Sequence, residues 1–460
     1  MTRMRNSLLA GSAAVIFACG IQHAAAQSLR ESVAGALGTN PRIGGVVDNR
    51  QAVDAELRRA RGLYLPQVDV RSGDGPEYSD DQFTRTSGNA FHLRQELSAI
   101  LTQRLFDGGE ADGTVDQQIG RSKSAAFRVR ETSEAVALDA VQSHLDLVRL
   151  HRILNLAEGN LNVHKDVLER VRRRASGGAG TQADIDQALS RLEEANADRE
   201  ETMGALRQAE ATYLNVVGRE AGTPLDVETP VNALPVGLEA SLKLAEDNNP
   251  TVKIREADVE AAQAEIEVAA ARFLPTVNLE VGGEHNRDVT GFPQTDNEAR
   301  ALVTVHWNLY AGGSDTANRD AAYGHLSQAK QDREQALREA DEGVRRAWAD
   351  YEAGIKRIAN LRQAVQHNIA VRASYEEQYQ LGQRTLIELL DSANELFTSQ
   401  TRLASAEETT TFAAFHVLAL DGLLLKLVGV DAPIEADPAV PAARPKAPPE
   451  GVKGITGVLD

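Results

Sequence analysis

Apolar residues along this chain recur with two different periods, which predict long helices separated by pairs of strands. Steps of three and four residues place a seam along each of two long segments. The first seam comprises Val136, Ala140, Ser143, Leu147, Leu150, Leu154, Ala157 and Leu161, and the second comprises Val344, Trp348, Tyr351, Ile355, Ile358, Val365 and Ile369, with Arg362 in the one missing position. Such seams predict coiled-coil packing, and a helix over 109–173 would be roughly 95 Å long. Helices of this length predict a rod or a tube rather than a compact domain.

Alternating apolar and polar residues predict four strands of about ten residues each. The residues expected on the apolar face are Val68, Val70, Leu93, Leu97, Ala99, Leu101 and Leu105 in the first pair, and Val277, Leu279, Val281, Ala301, Val303, Val305, Trp307 and Leu309 in the second. Polar loops are expected over 72–90 and 282–298. Tilted strands of this length can cross an outer membrane. A soluble, half-buried sheet shows the same alternation, so the pattern alone leaves both interpretations open.

The sequence also repeats itself at an offset of about 209 residues. Each copy consists of a short helix, an Asn-Pro break, a longer Ala-rich helix, and Leu-Pro at the start of a strand. Asn40-Pro41 and Leu65-Pro66 of the first copy correspond to Asn249-Pro250 and Leu274-Pro275 of the second. This repetition predicts one structural repeat over 27–235 and another over 236–432. The Pro-rich segment 433–460 is expected to be a disordered tail.

Composition and charge indicate an exported protein that binds no nucleic acid. Residues 1–26 have the basic start, apolar centre and small-residue end of a secretory signal peptide. The single cysteine, Cys19, lies in that segment, and Phe17 beside the small residue before it disfavours lipidation. A formal net charge of −18 argues against a phosphate-binding surface. No nucleophile with a base, phosphate loop or metal motif is recognisable, so no enzymatic activity is expected.

Four strands are too few to close a membrane barrel, for which about eight are the practical minimum. An open sheet edge in lipid would leave backbone groups without hydrogen bonds. If these strands cross a membrane, the barrel must therefore be shared between copies of the chain. Three copies would supply twelve strands, continued by a ring of long helices.

The order and spacing of these features resemble the TolC family of outer-membrane channels. The resemblance covers about residues 28–430 and includes LFDGG over 105–109, LYAGG over 309–313 and YQLGQRTLIELLD over 379–391. It implies an α+β membrane protein: a homotrimer with a 12-stranded β-barrel in the outer membrane of a Gram-negative bacterium and a coiled-coil α-helical barrel in the periplasm. It also implies a periplasmic adaptor protein, an inner-membrane ABC transporter or other pump, and an exported protein or small molecule as cargo. Outer-membrane lipid would surround the barrel, and no cofactor or metal is expected.

The resemblance assigns the two turns that join the long helices to docking of the adaptor. The first turn includes Gly180 and Thr181, and the second includes Leu381, Gly382 and Thr385. Glycine is expected to supply the positive φ that ends one helix before the next begins. These turns would form the closed periplasmic end of the tunnel.

Two acidic residues after the second turn resemble those that ring the pore constriction of the family. Glu388 and Asp391 are three residues apart, so both carboxylates can share one helix face. Three copies would then favour cations and permit block by polyvalent cations. On the residues alone, two acids on a helix are more often solvated surface.

Three further residues resemble the family's gate lock. In that lock the carboxylate of Asp184 would accept hydrogen bonds from the Tyr379 hydroxyl and the Arg384 guanidinium, tying neighbouring hairpins together. Ala183 stands where the family pattern offers a hydroxyl, so one bond of the lock is expected to be missing.

Three functions are compatible with these features. The chain could be the exit duct of a type I protein secretion system driven by an ABC transporter, or the outer-membrane component of a multidrug or metal efflux pump. It could also be a periplasmic coiled-coil scaffold without a pore, although a scaffold has no use for four strands of membrane-spanning length. The segment 73–80, expected to be a loop, and the LFDGG junction favour the secretion duct.

Overall fold

The structure, a computed structural model, describes residues 27–80, 82–88, 90–289 and 294–440, so the predicted signal peptide lies outside the described residues. The long helices and the four strands follow one another in the order that the sequence pattern predicts, whereas the short helix α3 lies in a segment expected to be a loop. They are α1 Leu29–Thr39, α2 Pro41–Arg61, β1 Gln67–Tyr78, α3 Gln82–Ser87, β2 Phe91–Phe106, α4 Glu110–Ser176, α5 Gln182–Val217, α6 Leu238–Asn248, α7 Pro250–Ala271, β3 Thr276–Arg287, β4 Thr295–His306, α8 Ser314–Gln380, α9 Leu386–Leu420 and α10 Leu424–Val428.

The structure confirms the internal repeat. Helices α4 and α8 each contain 67 residues, and α5 and α9 contain 36 and 35. The Asn-Pro breaks start α2 and α7 in the same way, because an asparagine side chain caps each helix and the proline needs no backbone donor in the first turn. The Asn40 side chain accepts from the Arg42 amide, and the Asn249 side chain accepts from the Thr251 amide, both at 3.0 Å.

The two predicted seams differ in how completely one chain covers them. Seven of the eight positions of the first seam are buried. Leu154 is partly buried against the apolar cluster that contains Leu147 and Leu150. In the second seam, Ile358 and Val365 pack against α9, whereas Ile355 and Ile369 remain 45% and 44% exposed. Helix α9 covers only one side of α8, so these two isoleucines of the seam stay exposed in the single chain. In the part of the chain that the structure describes, no helix has an apolar stretch long enough to span a membrane.

The four strands form one antiparallel sheet in the order β1-β2-β3-β4. The register confirms the predicted separation of faces, because Val68 pairs with Leu101, Leu101 with Val281, and Val281 with Ala301. The opposite face is largely polar and holds ion pairs such as Arg300–Glu284 at 2.9 Å. One face of the sheet is therefore apolar around these four residues, while His285 and Asn297 make it polar further along the strands.

The strands are longer than the alternation predicts, at 12, 16, 12 and 12 residues. Strand β1 continues to Tyr78 and β3 to Arg287, so both predicted loops are shorter than expected. Backbone pairing tolerates the glycines and charged residues of these segments, which is why local polarity is a poor guide to where a strand ends. A bulge after Arg104 leaves Phe106, not Leu105, opposite Val277, and β4 ends before the predicted strand residues Trp307 and Leu309.

The segment after α10 is ordered further than the sequence predicts. Residues 434–436 pack against α4, where Glu435 and Ala436 are buried. The Val440 carbonyl accepts a hydrogen bond from the guanidinium of Arg50, which is itself buried on α2 beside Asp54. The predicted disordered tail therefore cannot start at 433, and its remaining part, 441–460, lies outside the described residues.

Candidate functional site

The two turns at the far end of the long helices are built on the same capping pattern. The Thr181 hydroxyl accepts from the Asp184 amide at 3.2 Å, and the Asp184 carboxylate accepts from the Thr181 amide at 2.9 Å. Thr385 and Glu388 repeat this arrangement at 3.4 and 3.0 Å. Each pair is a capping box, which satisfies two backbone donors at the start of a helix. Asp184 and Glu388, which the resemblance assigns to the lock and to the constriction, thus occupy equivalent positions 204 residues apart.

Capping keeps both carboxylates ionised. The pKa of Glu388 falls to about 2, first because the Thr385 amide donates to it, then because of the Thr385 hydroxyl and the Arg384 guanidinium. The pKa of Asp184 is also lowered, first by the Thr181 amide and then by the Thr181 hydroxyl. Hydrogen bonds to the charged form favour that form. Both groups therefore carry a negative charge at neutral pH.

The glycine that supplies the positive φ in the first turn is Gly178, not Gly180. Gly178 has φ +78° and Gly382, its counterpart in the second turn, has φ +73°. Gly180 has no positive φ and serves a different purpose, because a Cβ there would lie 3.1 Å from the Ala175 backbone nitrogen. The prediction was right for Gly382 and wrong for Gly180, since the first turn offers three glycines and only the backbone path selects among them.

The predicted lock residues make other contacts within one chain. Arg384 donates to Gln378 at 2.8 Å and to Glu388 at 2.5 Å, and its guanidinium lies 4.2 Å from the centre of the Tyr375 ring. Among the described residues no hydrogen bond joins Asp184 to Arg384 or to Tyr379. A lock between neighbouring hairpins therefore stays a prediction.

Tyr379 lies in an apolar cluster rather than at the surface. It is buried with residues of all four long helices, and the guanidinium of Arg174 lies 5.1 Å from the centre of its ring. The other members of the cluster are Val167, Leu168, Val171, Ala188, Leu386, Leu389 and Leu390. This packing fixes the relative position of the two turns, while the tip residue Leu381 is exposed.

Two ion pairs connect the first helical hairpin to the second near these turns. Arg191 on α5 donates to Asp391 on α9 at 2.9 Å, and Arg170 on α4 donates to Glu376 on α8 at 3.2 Å. The sequence pattern carries no signal for either pair, because the partners are about 200 residues apart. Both residues of the predicted constriction consequently have an arginine partner: Arg384 for Glu388 and Arg191 for Asp391.

Aromatic and apolar side chains surround the junctions between strands and helices at the other end of α4 and α8. They include Tyr64, Leu65, Phe106, Leu274, Trp307, Leu309 and Tyr310, all exposed in the single chain. The Trp307 indole donates to the Phe273 carbonyl at 3.1 Å, so its ring is held in place. A collar of Trp and Tyr next to an apolar sheet face is typical of a membrane–water interface.

His144 on α4 connects this helix to three other parts of the fold. Its two ring nitrogens lie 2.9 Å from the Ser32 hydroxyl on α1 and 3.0 Å from the Leu225 carbonyl in the segment between the repeats. The Ser32 hydroxyl also accepts from Tyr213 on α5 at 2.8 Å. Burial lowers the pKa of His144, which favours the neutral imidazole. Within the described residues, no group of three or more His, Cys, Asp or Glu side chains could hold a metal ion.

Comparison with known proteins agrees with this architecture. The sequence profile of the family described as Outer membrane efflux protein matches residues 33–219 and 241–423, one stretch in each repeat. Outer membrane efflux protein BepC of Brucella suis is 26% identical over 377 residues, which cover 80% of this chain and 79% of BepC. Alkaline protease secretion protein AprF of Pseudomonas aeruginosa is 21% identical, with 86% of this chain and 85% of AprF covered. The crystal structure of CusC has a TM-score of 0.75 at 17% identity, covers 88% of this chain and 92% of that one, and shows a common fold.

Proposed function

The chain belongs to the outer membrane efflux protein family, the TolC family of channels, and from this premise we propose that three copies form one export duct across the outer membrane and the periplasm. The four-stranded sheet carries the proposal. It has an apolar face, and among the described residues its edge strands β1 and β4 have no partner on their outer sides. Joining β1 of one copy to β4 of the next satisfies these backbone groups, and three copies close a barrel of twelve strands.

The helical part supports the same assembly. Ile355 and Ile369 are exposed apolar residues of the α8 seam, on either side of Arg362, and a helix of a second copy would cover them. The turns lie at the end of α4 and α8 opposite to the sheet, about 100 Å away by the rise per residue of a helix. They would lie deep in the periplasm, where an adaptor protein and an inner-membrane pump can reach them. Glu388 and Asp391 would line the constriction of the tunnel at that end.

We favour type I protein secretion with an ABC transporter as the export system to which this duct belongs. The similarity to a protein named for the secretion of alkaline protease, over 86% of this chain, supports this choice. The LFDGG junction supports it too, whereas segment 73–80 no longer does because most of it belongs to β1. Efflux of small molecules is the second candidate, since BepC is named an efflux protein and is more similar in sequence.

Two experiments test the proposal. Purified protein should migrate as a trimer and form discrete single channels in planar lipid bilayers, and a failure to form channels would contradict the duct. Deletion of the gene should then remove a secreted protein from the culture medium and leave drug sensitivity unchanged. Increased drug sensitivity together with normal secretion would show that the duct serves drug efflux rather than protein secretion.

A further inference from the structure

The ion pair between Arg191 and Asp391 brings a positive charge to the proposed constriction. The Arg191 guanidinium donates to Asp391 at 2.9 Å across the two hairpins and to Glu194 at 2.8 Å along its own helix. Nearly a third of the Arg191 side chain and more than half of the Asp391 side chain are exposed, so water and ions reach both groups. The pKa of Arg191 is raised, first by the hydrogen bond to Glu194, so it stays charged at every working pH.

Two arginines offset part of the negative charge near the second turn. Glu388 is paired with Arg384, and Asp391 is paired with Arg191. Because Arg191 also binds Glu194, each copy of the chain brings three carboxylates and two guanidiniums to this level. A carboxylate in contact with a guanidinium acts on a passing ion as a dipole, whose field falls off faster than that of a free charge. A ring of three such pairs attracts cations less than a ring of three free aspartates.

We propose that Arg191 determines the ion selectivity of this channel by neutralising Asp391. The proposal rests on the proposed function, because it requires that Asp391 lines the pore. Arg191 lies on the first hairpin and Asp391 on the second, so the strength of this neutralisation depends on how the two hairpins are placed. The arginine therefore comes from the first repeat and the carboxylate that it neutralises from the second.

Three variants test the proposal by measuring reversal potentials in planar bilayers across a KCl gradient. At about 0.1 M salt the screening length is about 10 Å, so a single charge at the constriction is felt by passing ions. Arg191→Gln should shift the ratio of K⁺ to Cl⁻ permeability toward cations by about twofold or more and strengthen block by the trivalent cation hexaamminecobalt. Asp391→Asn should shift the ratio in the opposite direction, and the double variant should return close to the wild type.

The opposite selectivity shifts expected for the two single variants distinguish this proposal from a purely mechanical role of the ion pair. If the pair only holds the hairpins together, either single substitution breaks it, and both should change conductance in the same direction without opposite shifts of selectivity. That result would overturn the proposal. Unchanged selectivity in Arg191→Gln would overturn it as well.

Arg338→Gln is the matched control. Arg338 forms an exposed ion pair with Glu334 in the middle part of α8, far from the turns, so its loss should leave selectivity unchanged. If channels form normally and Arg191→Gln leaves their ion selectivity unchanged, this inference is wrong but the proposed duct is not. An absence of channels in the wild type would reject the duct itself.

Discussion

At the residue scale, the same capping position carries different chemistry in the two repeats. Asp184 and Glu388 both close a capping box with a threonine, yet only Glu388 also binds an arginine four residues upstream. A carboxylate engaged by its own helix has fewer hydrogen bonds left for a neighbouring hairpin. The predicted lock through Asp184 must therefore compete with the Thr181 amide and hydroxyl.

Buried Glu134 on α4 leads to a prediction about stability and pH. It is 5% exposed, accepts from the Leu425 amide, and has one carboxylate oxygen without a hydrogen-bond partner. Burial raises its pKa to about 7. Between about pH 4.5 and pH 7 the folded state then binds more protons than the unfolded state, so stability falls as pH rises.

Glu134→Gln should reduce this fall, because the glutamine side chain cannot ionise. We expect the thermal unfolding midpoint of the variant to change less between pH 5 and pH 8 than that of the wild type. At pH 8 the variant should be more stable by on the order of 2 kcal/mol. Glu169→Gln, on the exposed side of the same helix, is the control. Identical pH profiles for wild type and Glu134→Gln would show that Glu134 is not protonated in the folded state.

At the element scale, close contact between α4 and α7 depends on a glycine. A Cβ on Gly120 would lie 2.7 Å from the backbone nitrogen of Ala261, closer than any real contact permits. The two helices can therefore approach each other only because position 120 has no side chain. The heptad pattern predicts that α4 packs against other helices, but it carries no information about this distance.

Gly120→Ala should force α4 and α7 apart and destabilise the protein by about 1–3 kcal/mol. Gly159→Ala in the same helix is the control, since a Cβ there meets nothing within 4 Å. There alanine should raise stability by up to about 1 kcal/mol, because glycine is the poorer helix former. Thermal denaturation of the purified trimer measures both effects, and an unaltered midpoint for Gly120→Ala would contradict the close contact.

At the scale of the whole molecule, the open sheet edges and the exposed isoleucines of α8 both indicate contacts with neighbouring copies. Neither feature is satisfied within the described part of one chain. Closing the barrel and covering Ile355 and Ile369 would happen in the same assembly step. The predicted constriction and lock would therefore be properties of the assembly, and channel measurements are the appropriate test for them.

Glu388→Gln combined with Asp391→Asn should make the channel less selective for cations and less sensitive to polyvalent cations. The pair removes two negative charges per copy while both arginines remain, so the expected direction follows from charge alone. Reversal potentials before and after the substitutions provide the measurement. Unchanged selectivity would exclude both residues from the constriction.

Tyr379→Phe combined with Arg384→Ser should raise single-channel conductance if these residues hold the tunnel closed. Loss of Arg384 also removes its contacts with Gln378 and Glu388, which loosens the second turn. Arg172→Ser near the first turn, for which no ion pair is found in the described chain, is a suitable control. Conductance that stays at the wild-type level would place the lock elsewhere.

The sequence by itself determined the repeat, the long helices, the four strands and the apolar face of the sheet. These features depend on spacings of two, three and four residues and on caps such as Asn40 and Asn249, which act within one turn or one strand. Only the tertiary structure decided that Gly178 carries the positive φ, that residues 434–436 pack on α4, and that Arg191 pairs with Asp391. Each of these depends on the path of the backbone in space, or on residues far apart in the chain, for which the local pattern has no signal.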